Sequence, residues 1–182
     1  MLRRFNLYAD YHQFYVEDEQ SAAETAAAPD FWNARALADG LASARDMMAI
    51  GTARYGNVHV EIEVCDNEPP NDSDDWNHIV EAAIEIPSGV IIVRGCTEGH
   101  DTAQRFPVAP GTYQARVCYS GLDVEEPDAE DGDDHYRLVL WHGAWREPQV
   151  TKRFEGGVNA ASAATNAETG SEGFGNERGD KS

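Results

Sequence analysis

The run Val58-His59-Val60-Glu61-Ile62-Glu63-Val64-Cys65 places an apolar side chain at every second position. In an extended chain, successive side chains point to opposite faces, so Val58, Val60, Ile62 and Val64 share one face while His59, Glu61, Glu63 and Cys65 share the other. A helical period would scatter those four apolar residues around the axis. The segment is therefore a half-buried strand, apolar on the side that meets a core.

Outward from this strand the same period recurs. Residues 46 to 54 read as a strand, with Tyr55-Gly56-Asn57 as a tight connection. Residues 79 to 86 set Val80, Ala82, Ile84 and Ile86 on one face, Pro87-Ser88-Gly89 turn the chain, and Val90 to Arg94 return as a second arm, which predicts a β-hairpin. Arg105 to Val108 begins another element, Ala109-Pro110-Gly111 turns it, and Thr112 to Ser120 alternates again through Tyr113, Ala115, Val117 and Tyr119. His135 to Trp141 places Tyr136, Leu138 and Leu140 together, and the aromatic-rich stretch 5 to 17 reads as one or two strands. Only 30 to 40 looks helical, with Asp30 as the predicted N-cap and Leu37 and Leu41 near one face.

The expected fold is mainly β, an antiparallel sandwich of about eight to nine strands with one short helix. A closed barrel would use the same strands. We expect one β-sandwich domain over residues 1–154, followed by a flexible tail rich in Gly, Ala, Ser and Glu over 155–182, too poor in large apolar residues to offset the entropy of ordering it.

Charge narrows the function classes. Thirty-three acidic residues against fourteen basic ones give a net charge of −19 over 182 residues. Such a chain repels phosphate, so neither direct nucleic-acid binding nor attachment to an anionic membrane is expected. Met1-Leu2-Arg3-Arg4-Phe5-Asn6 lacks the apolar stretch of a signal peptide, and no long apolar run follows, so a cytoplasmic protein is expected. Cys65, Cys96 and Cys118 are widely spaced without a CxxC pair, which points to idle thiols rather than to a metal centre or disulfide. His12, His59, His78, His100, His135 and His142 fall in no recognisable catalytic pattern, so we expect a binding protein that is not an enzyme and uses no cofactor.

The acid is concentrated in two segments. Residues 66 to 75 hold Asp66, Glu68, Asp72, Asp74 and Asp75, and residues 123 to 134 hold Asp123, Glu125, Glu126, Asp128, Glu130, Asp131, Asp133 and Asp134, with no basic residue in either. Like charges packed so closely are either screened by solvent or matched by something cationic. If the strands alternate up and down, the loops 66–78, 96–103 and 121–134 meet at one end as a single acidic pole. The residues assigned to partner binding on this ground are Asp72, Asp74, Asp75, Asp128, Glu130, Asp131, Asp133 and Asp134. Calcium is the rival occupant, since carboxylates in loops at one end of a sandwich can ligate it, although Asp128 to Asp134 does not have the register of an EF-hand loop. A calcium-dependent or carbohydrate-type binding sandwich is accordingly the alternative function.

The run Asp10-Tyr11-His12-Gln13-Phe14-Tyr15-Val16 resembles the N-terminal strand of the competence protein J family, inhibitors of a nuclease that acts in DNA uptake. The resemblance continues through Trp32, Ala38 to Ala44, the strand Asn57 to Cys65, the segment 79 to 94, and Pro110 to Val117, covering roughly residues 5 to 142. It implies a small intracellular protein that neutralises a basic nuclease or toxin by stoichiometric contact, in competence or as an immunity protein. The acidic insertion at 122 to 134 departs from the family pattern.

Overall fold

The computed structural model describes residues 1–21, 25–123 and 129–158. The diagnostic strand is β5 (Gly56–Cys65), and β1 (Leu2–Ala9) pairs antiparallel to it along one side, Leu2 opposite Glu63 and Ala9 opposite Gly56. On its other side lies β10 (His135–His142), followed by β9 (Gly111–Ser120), β6 (His78–Ile86) and β11 (Gln149–Lys152), which gives a first sheet of order β1-β5-β10-β9-β6-β11. The second sheet has the order β3-β4-β2-β7-β8, built from β2 (Gln13–Asp18), β3 (Leu41–Ser43), β4 (Met47–Gly51), β7 (Val90–Gly95) and β8 (Gln104–Pro107). The sandwich expectation holds, with alternation placing one apolar face of each sheet inward.

Val58, Val60 and Ile62 from β5, Tyr136, Leu138 and Leu140 from β10, and Val80, Ala82, Ile84 and Ile86 from β6 meet Phe14, Val16, Ile50, Ile91 and Val93 from the opposite sheet, all buried. Removing these side chains from water is the main force that holds the sheets together.

Eleven strands are present among the described residues, against the eight or nine read from the sequence. The two additions, β3 and β11, are the outermost strands on one side of each sheet, only three and four residues long. A strand so short shows no alternation to read.

Two further expectations are corrected. The segment 79 to 94 is not a hairpin: β6 pairs with β9 and β11 in the first sheet, whereas β7 pairs with β2 and β8 in the second. The connection is an arch between sheets, held by buried Asp18, whose Oδ2 accepts from Ser88 N at 2.9 Å and Ser88 Oγ at 2.6 Å. Periodicity cannot distinguish an arch from a hairpin, because both join two extended arms by a short turn. The helix, α1 (Ala34–Asp39), is capped by Asn33 rather than Asp30, with Asn33 Oδ1 accepting from the backbone N–H of Arg35 and Ala36. Gly40 closes it in the left-handed conformation, φ 69°, so its following residues can turn directly into β3.

The ordered core extends past residue 154. Val158 is 2% exposed and packs so closely on Gly40 that a Cβ at that glycine would lie 2.9 Å from the valine side chain. Residues 159 onward of the expected tail lie outside the described residues. No helix among the described residues is long and apolar enough to cross a membrane.

Candidate functional site

β1 ends at Ala9 in the first sheet and β2 begins at Gln13 in the second, so Asp10-Tyr11-His12 must carry the chain between sheets within three residues. Tyr11 and His12 adopt φ of 56° and 55°, a region that bulky L-residues seldom occupy and that stores strain. The backbone is held there by Thr52 N donating to His12 O at 2.8 Å. The strain turns Tyr11 outward. It is 66% exposed, beside Tyr8 at 50% and Tyr55 at 37%.

Tyr55 gathers the group. Its ring lies 5.9 Å from Tyr8, 6.3 Å from Tyr11 and 5.8 Å from His12, each edge-on. Desolvation and the neighbouring Tyr8, Asp10 and Tyr11 push the Tyr55 phenol above its ordinary pKa, so it remains a neutral donor. Among the described residues, three of the five large exposed hydrophobic side chains belong to this one cluster. Aromatic rings with polar tips, exposed together, have the composition of a protein-contact hot spot.

The acidic segment 129 to 134 borders the cluster. Asn57, two residues after Tyr55, donates its backbone N–H to Glu130 O at 2.7 Å and its side-chain amide to Asp131 Oδ1 at 3.1 Å. Beneath lies Arg54, whose Nε donates to Asp134 Oδ1 at 2.9 Å and Nη1 to Ala129 O at 3.0 Å. The guanidinium fills the space that a Cβ at Gly132 would need. Asp134 is 0% exposed and also accepts from Tyr136 Oη at 2.9 Å, while that hydroxyl accepts from Ala53 N at 2.8 Å. Beside that carboxylate and fully buried, the Tyr136 phenol is held well above its usual pKa. This network fixes the loop.

The assigned partner-binding residues therefore separate. Glu130, Asp131 and Asp133 are exposed on the loop beside the aromatic cluster, whereas Asp134 is buried and structural, so it offers no surface to a partner. Asp128 lies outside the described residues. Asp72, Asp74 and Asp75 belong to the segment between β5 and β6. Because β10 runs parallel to β5, with His135 opposite His59, the segment after β5 starts at the far end of the sheet and crosses its outer face to reach β6. The alternation behind a three-loop pole fails at this parallel pair. Arg137 fastens the crossing segment through Asp72 at 2.7 Å, and through Glu63 at 2.8 Å it also lowers that carboxyl's pKa. Arg116 adds Glu68 at 3.2 Å. Asp74 and Asp75 remain exposed on that outer face.

The third loop, 96–103, does lie near the aromatic end: Thr97 N donates to Asp10 Oδ2 at 3.0 Å. It is tied down by Glu17, 0% exposed, which pairs with Arg94 Nε at 2.6 Å and His100 Nε2 at 2.9 Å. Among the described residues no group of three or more His, Cys, Asp or Glu is gathered as a metal ion would need. The residues that the sequence reading passed over are Arg54, Tyr8, Tyr11 and Tyr55. For Tyr11 the signal was present in the Tyr-His-Gln-Phe run, and for the others alternation gave none.

The architecture defines the class: a two-sheet β-sandwich with, among the described residues, one short α-helix, its sheets joined by arches. Within that class the chain shares the fold of ComJ from Bacillus subtilis, inhibitor of the DNA degrading activity of NucA, as the resemblance in the first strands implied. The match covers 79% of this chain and 99% of ComJ at 18% identity, with a TM-score of 0.56. A second solved structure, crocagin biosynthetic gene J, matches over 79% of this chain and 98% of its own length at 17% identity and a TM-score of 0.55. No protein-family model and no curated protein sequence matches.

Proposed function

We propose that this protein is a cytoplasmic, stoichiometric inhibitor of a nuclease that acts by contact and not by catalysis. The observation that carries the reading is the exposed Tyr8, Tyr11 and Tyr55 cluster on a strained turn, bordered by Glu130, Asp131 and Asp133. A nuclease must present cationic groups to hold phosphates, and an acidic rim around aromatic anchors complements such a surface without offering a bond to cut. The shared fold with an inhibitor of a DNA-degrading nuclease supports the choice of partner.

The test is titration of a purified NucA-type nuclease from the same genome, with DNA cleavage as readout. Cleavage should fall linearly to an endpoint at one inhibitor per nuclease. Joint replacement by Glu130→Gln, Asp131→Asn and Asp133→Asn should slow association and flatten its salt dependence, because rim charges act mainly on the encounter rate. Undiminished cleavage at excess protein would overturn the assignment.

A further inference from the structure

Beside the aromatic cluster, a cavity of about 300 Å³ opens between β1 and the end of β7. Phe5, Asn6, Leu7 and Tyr8 all line it. Side chains alternate along a strand, so four consecutive residues can border one cavity only through the strand's backbone edge. β1 is the outermost strand of its sheet, and among the described residues that edge has no partner strand. Unpaired edge N–H and C=O groups are a template for an incoming extended segment.

The wall opposite carries charge of one sign. Asp10 and Glu98 line the cavity, and among the described residues no lysine or arginine does. Asp10 is 4% exposed; its Oδ2 accepts from Thr97 N, whereas Oδ1 is buried without a hydrogen-bond partner. A carboxylate oxygen withdrawn from water and left unpaired costs free energy unless a donor arrives. The volume stands at the lower limit of ligand pockets, which admits one side chain rather than a larger ligand.

We propose that this cavity receives the guanidinium of a single arginine, carried by a partner segment laid along the free edge of β1. The planar fork of donors meets Asp10 Oδ1 and the Glu98 carboxyl, while the aliphatic stem packs against the apolar wall of Phe5, Leu7 and Tyr8. This site goes beyond the nuclease reading and does not depend on it.

The probe is Nα-acetyl-arginine amide, with the isosteric neutral Nα-acetyl-citrulline amide as control, followed by NMR shifts of the Gly95 and Thr97 amides in the full chain. Saturable shifts with the arginine compound are expected, at least about tenfold weaker with citrulline. Asp10→Asn, which keeps an acceptor for Thr97 N, should lose binding by a similar factor, and Glu98→Gln, which keeps an acceptor for Gly95 N, should weaken it. Should Asp10→Asn not fold, Glu98→Gln and the citrulline control decide. Equal binding of the two compounds, or full binding by Glu98→Gln together with a folded Asp10→Asn, would overturn the site. Concentration-dependent dimers in sedimentation that arginine amide leaves intact would place a second copy on the edge and overturn it as well. An absence of nuclease inhibition would leave these shifts untouched.

Discussion

In the segment 66–75 the carboxylates of Glu68 and Asp72 are met by Arg116 and Arg137 on the outer face of the first sheet, and the loop is laid flat across it. In the segment 129–134 the cation lies underneath: Arg54 binds Asp134 and the Ala129 carbonyl, and Glu130 and Asp133 are left facing out beside the tyrosines. Two acidic segments without a basic residue thus yield one strap and one presented rim. Which it becomes depends on where the arginines of neighbouring strands point, a property of register and not of the loop's own residues.

Breaking the Arg54 anchor should produce the largest effect. Arg54→Met leaves Asp134 buried without its partner, which typically costs about 3–5 kcal/mol. Chemical denaturation should show that loss, whereas Asp74→Asn with Asp75→Asn, two exposed carboxylates, should change stability by less than about 0.5 kcal/mol. A small loss in Arg54→Met would remove the distinction between anchored rim and surface strap.

Truncation gives the next effect. A chain ending at Gly157 loses the Val158 side chain from the core and should be destabilised by about 1.5 kcal/mol, while a chain ending at Val158 should melt with the full protein. Thermal denaturation of the two truncations separates core from tail.

The smallest effect concerns pH and sharpens the place where the strap enters β6. His78 is buried, its Nε2 donating to Asp39 O at 2.9 Å and its Nδ1 accepting from Phe154 N at 3.2 Å, and desolvation lowers its pKa below the ordinary 6.5. The unfolded chain takes up this proton near pH 6.5, and the folded chain only at lower pH. Stability is therefore full above pH 6.5 and falls as the pH drops below it, by up to about 1.4 kcal/mol per pH unit for one proton. Burial lowers the pKa of His135 as well, in the same sense. His78→Gln, which cannot be protonated, should show a shallower fall of melting temperature between about pH 7.5 and 5.5.

Much of this architecture was legible in the sequence, because strands with one wet and one dry face must alternate. Val58 to Val64 and Tyr136 to Leu140 are clear for that reason. The arch at Pro87-Ser88-Gly89 was not, since its distinguishing contact is with Asp18, seventy residues away. The parallel pairing of β5 and β10 was equally hidden, and it sends the segment that carries Asp72, Asp74 and Asp75 across the sheet rather than leaving it at one end. Of the site, the exposed rim Glu130, Asp131 and Asp133 was read from charge, but Asp134 looked the same as its neighbours until the Arg54 and Tyr136 contacts showed it to be core. Tyr8 gave no local signal, as aromatic residues in strands are ordinarily buried, and Tyr55 read only as part of a tight connection between β4 and β5.

The central claim is that contact with a partner runs through the aromatic end and not through the acid of the crossing strap. Its most direct measurement is the inhibition constant against the nuclease for three forms: the unaltered protein, Tyr11→Ala with Tyr55→Ala, and Asp74→Asn with Asp75→Asn. The account predicts that truncating the two tyrosines weakens inhibition about thirtyfold or more, the scale of a hot-spot loss, with little change in melting temperature. Neutralising the strap should leave inhibition within about twofold. Strong inhibition by the tyrosine variant, or its loss on neutralising Asp74 and Asp75, would contradict it.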